Sequence, residues 1–142
     1  MAPEIFTGEW ARDWCEEINR SEAYAEAAES WEGALVLAVH ADPSYGLEED
    51  RAVWVDLWHG ECREARAAGD GDREEAPYVI AADPYSWKRL LEGEMDPIGG
   101  LMRGKLKLER GSVVELARYV RAARELVAAA GRVESSYPEG WE

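Results

Sequence analysis

The sequence predicts an α+β domain, one mainly antiparallel β-sheet covered by helices. Three observations predict it. Segments with helical spacing come first, short apolar strands follow with turns too short for crossovers, and further helices with one last strand close the chain. At 142 residues the chain has the length of a single domain with one sizeable core, and no internal repeat divides it. The expected organisation is one domain over residues 1–132 and a C-terminal tail over 133–142.

The first helix is read in TGEWARDWCEEINRS, where Trp10, Trp14 and Ile18 fall on one stripe. Thr7 is placed to cap it, and Glu9 and Asp13 near its start suit the helix dipole. SEAYAEAAES, from Ser21 to Ser30, is a second, alanine-rich helical stretch. The pattern then changes: Leu35, Val36, Leu37 and Val39 after Gly33 form a short apolar run, read as a buried strand. In RAVWVDLWHG, Val53, Val55 and Leu57 point one way and Trp54, Asp56 and Trp58 the other. Gly60 turns the chain into a more polar strand, ECREARAA; GDGDREE is a solvated turn and APYVIAAD a fourth strand.

Asp83-Pro84 announces the next helix, YSWKRLLEG, with Asp83 as cap, Pro84 at the first helical position and Gly93 as the stop. Asp96-Pro97 repeats the device for a short helix, IGGLMR, ended by Gly104. KLKLE reads as the last strand, Leu106 and Leu108 inward and Lys105 and Lys107 outward. Ser112 caps SVVELARYVRAARELVAAAG, whose Val113, Leu116, Ala117, Val120 and Val127 make an apolar face. RVESSYPEGWE shows no period, although Tyr137 and Trp141 can dock.

Charge narrows the function. The net charge is −14, and residues 1–50 hold 13 acids against 2 bases. So acidic a chain lacks the basic footprint of a nucleic-acid binder. Residues 83–132 reverse the sign, with 10 bases against 7 acids, a surface for an anionic head group or simply a solvated one. No apolar run reaches the roughly 20 residues of a membrane span, and MAPEIFTGEW lacks the basic start of a signal peptide, so the expectation is cytoplasmic. Cys15 and Cys62 stand at no motif spacing and are expected as reduced, buried thiols.

No catalytic constellation emerges. His59-x-x-Cys62 has metal-like spacing, but His40 is the only other histidine, too few ligands for a structural zinc. No Gly-x-Ser-x-Gly elbow occurs, and Gly99-Gly100 lacks the spacing and the Lys-Ser/Thr of a phosphate loop. The expectation is therefore no enzyme, no metal and no cofactor. Seven tryptophans remain, read either as core filling or as walls of a cavity for an apolar ligand.

The run YVIAADPYSWKRLLEGEMDPIGGLMRGKLKLERGSVVELARYV resembles the sterol carrier protein 2 (sterol-transfer) family. Its marks are Ala82-Asp83 after a strand, a short helix to Leu90-Leu91, Gly93, Asp96-Pro97, and Gly104-Lys105-Leu106-Lys107. The similarity extends upstream, through a first helix ending near Ile18-Asn19 and a Gly33-led strand with its meander. The chain departs from the family in carrying Leu101 and Met102 where aromatics are common, and Gly111-Ser112 where Gly-Asp is frequent.

The resemblance implies a five-stranded, mainly antiparallel sheet covered by helices, with an apolar tunnel between them. It implies non-catalytic binding or carriage of fatty acids, acyl-CoA, sterol-like molecules or phospholipids, with no catalytic residue. Walls are expected from Trp87, Leu90, Leu91, Met95, Ile98, Leu101, Met102, Leu116 and Val120, each of which could equally be plain core. Arg103, Lys105, Arg118 and Arg121 are candidates for a head group at the mouth. The expected partner is a hydrophobic small molecule; transient membrane contact is left open, unsupported by the acidic first helix, and so is the oligomeric state. The alternatives are an interaction or dimerisation module on the same fold without a cavity, and, third, a hydrolase using Asp56, His59 and a serine.

Overall fold

The structure, a computed structural model, describes residues 2–141. Its elements are α1 (Gly8–Asn19), α2 (Glu22–Ala27), β1 (Glu32–Val39), β2 (Arg51–Trp58), β3 (Glu61–Ala67) and α3 (Asp72–Glu75). They continue with β4 (Tyr78–Ala82), α4 (Pro84–Leu91), α5 (Pro97–Met102), β5 (Lys107–Arg110), α6 (Val113–Leu116) and α7 (Val120–Arg132). The five strands form one sheet in the order β3-β2-β1-β4-β5. Only β1 and β4 run parallel; the other three pairings are antiparallel. This is the five-stranded, mainly antiparallel α+β sheet expected from the sequence.

Hairpin chemistry sets the register of β2 on β3. His59 and Gly60 both have positive φ, 50° and 83°, the backbone of a tight two-residue turn that matches strand twist. The His59 N–H is taken by the Trp31 carbonyl at 2.7 Å, and its Nε2 lies 2.5 Å from Glu32, which holds an otherwise strained residue in place. The alternation in β2 is as the sequence reads: Val53, Val55 and Leu57 are buried in the core, while Trp54 and Asp56 are half-buried and Trp58 exposed. On the outer sheet face, Arg63 lies over Trp58 and Arg66 over Trp54, covering the rings with guanidinium groups.

Trp10, Trp14 and Ile18 of α1 are buried, and Thr7 caps the helix by accepting the Trp10 N–H. Four local expectations are corrected. GDGDREE contains a short helix, α3, drawn together by Asp72, which accepts from Arg66 and from the Gly69 N–H. Asp83 does not cap through its side chain; its Oδ1 accepts from the Ser86 hydroxyl at 2.6 Å instead. The last strand begins at Lys107 rather than Lys105, because the N–H groups of Lys105 and Leu106 both donate to Gly100 at the end of α5. The long C-terminal helix is broken: α6 ends at Leu116, a 3₁₀ turn covers Ala117–Tyr119, and α7 begins at Val120.

The cysteines are a fifth correction. Cys15 and Cys62 are joined as a disulfide with a Cα–Cα separation of 5.5 Å, not left as two thiols. A sequence separation of 47 residues carries no distance information; it is the packing of α1 across β3 that brings them together.

The termini meet. Ser136 donates its N–H to Pro3 and its carbonyl accepts from Ile5, and Trp141 is buried beside Tyr45 and Tyr137. No helix among the described residues is long and apolar enough to cross a membrane.

Candidate functional site

Between the inner sheet face and the helices lies a hollow of about 100 Å³. The sheet contributes Leu35 and Leu37 from β1, Leu57 from β2 and Ile80 from β4. Opposite them stand Trp14 of α1, Tyr24 of α2 with Ala28 just after it, and Trp87 and Leu90 of α4. The cover is made by α5 through Ile98 and Leu101, by α6 through Leu116, and by α7 through Ala122, Ala123, Leu126 and Val127. The lining is almost wholly apolar.

Each polar aromatic tip on Trp14, Trp31 and Trp87 is neutralised locally. Their indole N–H groups donate to the carbonyls of Leu126, Gly33 and Ala38 at 3.0, 2.9 and 2.9 Å. The bulky rings can thus face an apolar space without leaving a buried donor unpaired. The helix break at Tyr119 serves the same wall. Its ring meets Trp31 edge-on at 4.9 Å and its hydroxyl lies 2.9 Å from Ser30 Oγ, contacts that draw it toward the segment leading into β1.

The stretch DPIGGLM builds the edge of the cover. Asp96 Oδ2 accepts from the Gly99 N–H at 3.0 Å, capping α5. A Cβ on Gly100 would stand 3.1–3.2 Å from Met95 and Leu106, so glycine lets α5 lie close over both side chains. Asp96 Oδ1 also accepts from Arg124 Nε at 2.6 Å, strapping α5 to α7. Burial works against the Asp96 carboxylate, but the bonds from Arg124 and Gly99 outweigh it and hold the carboxyl below its ordinary value.

A depressed folded value means that ionised Asp96 stabilises the protein fully above the ordinary carboxylate range. That contribution is lost as pH falls through the folded value. Asp96→Ala is expected to lose about 1 kcal/mol of stability at neutral pH through the cap alone. Asp96→Asn, which keeps an acceptor at the cap, is expected to lose less and to show a shallower acid dependence than the native protein. Urea unfolding between neutral and acid pH checks both.

Of the nine wall candidates, Trp87, Leu90, Ile98, Leu101 and Leu116 stand around the hollow. Leu91, Met95, Met102 and Val120 do not line it. Met95 packs on Gly100, and Leu91 and Val120 are half-buried against the core. Met102, last in the six-residue α5, is 72 % exposed, while Ile98, Gly100 and Leu101 of the same helix are buried. Arg103, Lys105, Arg118 and Arg121 are all exposed on the segments that cover the hollow, and none lines it. Of the wall residues that sequence reasoning missed, the large aromatic ones Trp14, Tyr24 and Trp31 come from the N-terminal third, and others, such as Leu57, Ile80 and Leu126, from farther along the chain. Their apolar periodicity marks them as buried and says nothing of which buried faces enclose space.

Other constellations are engaged elsewhere. Arg63 grips Asp56 through two bonds of 3.0 and 3.1 Å, His59 faces Glu32, and Cys62 is in the disulfide. Among the described residues no cluster of three or more His, Cys, Asp or Glu is placed to hold a metal ion.

A family model described as the SCP-2 sterol transfer family matches residues 13–112. The chain belongs to the SCP-2 sterol transfer family. Two solved structures agree with that membership at high identity. A crystal structure of sterol carrier protein 2 is 48 % identical, with a TM-score of 0.83, covering 92 % of this chain and 99 % of its own. The solution structure of a conserved hypothetical protein of Thermus thermophilus, described as possibly a sterol carrier protein, is 47 % identical with a TM-score of 0.83, covering 96 % of this chain and 94 % of its own. The apo form of sterol carrier protein 2 from Yarrowia lipolytica shares the fold at 17 % identity and a TM-score of 0.58, covering 90 % of each chain. No curated protein sequence matches this chain. As an SCP-2 family domain, the protein belongs among lipid-binding and lipid-transport proteins.

Proposed function

We propose that the protein carries lipids non-covalently, the apolar part of the ligand entering the hollow between the sheet and α5–α7. The observation that carries this reading is the lining itself, apolar from both the sheet and the helices, with its indole N–H groups already bonded to backbone. Such a site recognises chain-like or ring-like hydrocarbon and needs no catalytic residue, metal or cofactor. Fatty acids, acyl-CoA, sterol-like molecules and phospholipids all present such a part.

Size defines how the site works. An engineered cavity of about 150 Å³ takes benzene, so a hollow of about 100 Å³ has room for less than a full acyl chain. A ligand must therefore displace the cover. The part best able to yield is the run of short elements from α5 to α6, six and four residues long. Burying roughly 14 methylenes at about 0.8 kcal/mol each supplies about 11 kcal/mol, and association costs of at least about 4 kcal/mol leave about 7. That corresponds to micromolar-scale affinity at best, before the cost of opening the cover. Because any hydrocarbon contributes alike, selectivity among tails is weak. Arg103, Lys105, Arg118 and Arg121, each exposed on the segments of the cover, are the candidates to meet an anionic head group. Residence in the cytoplasm, within a single domain over residues 1–132, is part of the same proposal.

Native mass spectrometry of the purified protein, followed by lipid extraction of any heavier species, tests it. The expected result is a population heavier by the mass of a lipid, or one that appears on adding a long-chain fatty acid. A protein that neither retains nor takes up any lipid overturns the proposal.

A further inference from the structure

Five aromatic side chains in the lining of the hollow end in a polar atom. Four have protein partners: Trp14, Trp31 and Trp87 donate to backbone carbonyls, and the Tyr119 hydroxyl pairs with Ser30. Tyr24 is the fifth. Its backbone N–H is capped by Ser21 at 3.0 Å, but no described residue bonds its hydroxyl. Among the described residues, every side-chain nitrogen or oxygen fully sealed from solvent has a partner. The Tyr24 hydroxyl therefore still touches open space. The residue is only 1 % exposed, and it is part of the lining of the hollow.

We infer that the Tyr24 hydroxyl is the one ligand-directed polar group inside the hollow, and that the site favours apolar molecules carrying an uncharged oxygen, such as an alcohol, at the end that enters first. The inference rests on the carrier reading above and narrows its ligand class. A buried hydroxyl left without a partner is costly, and a Phe of the same shape would avoid that cost. A ligand oxygen removes it, since a phenol both donates and accepts. Burial pushes the Tyr24 phenol well above its ordinary value, so it remains a neutral group. No Lys, Arg or His lines the hollow. An ionised carboxylate entering first would thus be buried without a counter-charge, and carboxylates must bind with the tail inward, away from Tyr24.

The test compares native protein with Tyr24→Phe, using octan-1-ol, octane and octanoate at about pH 8, where the acid is ionised. Each displaces a fluorescent long-chain fatty acid, and thermal unfolding of the ligand-free proteins is followed alongside. Tyr24→Phe is expected to weaken octan-1-ol about fivefold, the worth of one neutral hydrogen bond, and to change octane and octanoate less than about twofold. The ligand-free variant should unfold at the same temperature as the native protein or higher. Unchanged octan-1-ol affinity, or an equal loss for all three probes, overturns the inference and leaves the carrier reading standing. A lower unfolding temperature would show that the hydroxyl has a protein partner, and overturns it as well. If the native protein takes up neither the fluorescent fatty acid nor any probe, the carrier reading fails and the inference with it.

Discussion

Replacing Leu116 with Trp is expected to weaken binding of a fluorescent fatty acid by at least about tenfold, a loss of about 1.4 kcal/mol. Leu116 is the last residue of α6, 8 % exposed, and its side chain faces the hollow. An indole there occupies space that a ligand tail must enter, and the hollow of about 100 Å³ has little to spare. Overpacking costs typically about 1–3 kcal/mol, which a domain with this many buried aromatic residues should survive. The 3₁₀ turn over Ala117–Tyr119 gives α6 room to shift without disturbing α7. Val114→Trp is the control: Val114 lies on the same short helix but is 72 % exposed, so its variant should bind like the native protein. Affinity by fluorescence titration and stability by urea unfolding decide the matter together. A folded Leu116→Trp protein with native affinity would mean that the ligand does not use the hollow.

Most of the fold is legible in the sequence because its signals are local. The stripe of Trp10, Trp14 and Ile18, the alternation in β2, and the caps at Thr7, Asp96 and Ser112 each depend on neighbours within a few residues. The departures come from bonds that no periodicity announces, some a few residues apart, as between Asp83 and Ser86, and some far along the chain. Tyr119 breaks a periodic helix because Ser30 and Trp31, far back in the chain, attract its hydroxyl and ring. Lys105 and Leu106 leave the strand because Gly100 takes their N–H groups.

The site was less legible than the fold, for a related reason. Met102 and Leu101 are equally apolar neighbours in sequence, yet one is exposed and the other faces the hollow. A six-residue helix has too few turns to declare its inner face. Tyr24 reads as one aromatic in an alanine-rich helix. Only the lack of a partner for its hydroxyl among the described residues, a property of the folded state, distinguishes it from ordinary core.

Opening the Cys15–Cys62 disulfide, by reductant or by Cys15→Ser, is expected to cost about 4 kcal/mol of stability by the loop-closure relation for 47 residues. The bridge ties α1 to β3, the edge strand of the sheet. It is not the only tie. The Asn19 side chain at the end of α1 donates to the Cys62 carbonyl at 2.9 Å and accepts the Cys62 N–H at 2.8 Å. That amide pairs with the edge as a neighbouring strand would, and it covers backbone groups that would otherwise be open to another chain. With Asn19 and the buried face of α1 in place, the reduced protein should remain folded, at a lower urea midpoint and with a steeper slope, because the unfolded chain without its cross-link exposes more surface. Cys15→Ser, Cys62→Ser and the double variant should be destabilised alike, since losing either sulfur removes the same cross-link. Because Trp14 adjoins Cys15 and lines the hollow, reduction is also expected to loosen the α1 wall and speed ligand release. A urea midpoint insensitive to reductant would show that the two sulfurs are not bonded in solution, and that Asn19 and core packing hold α1 to the sheet unaided.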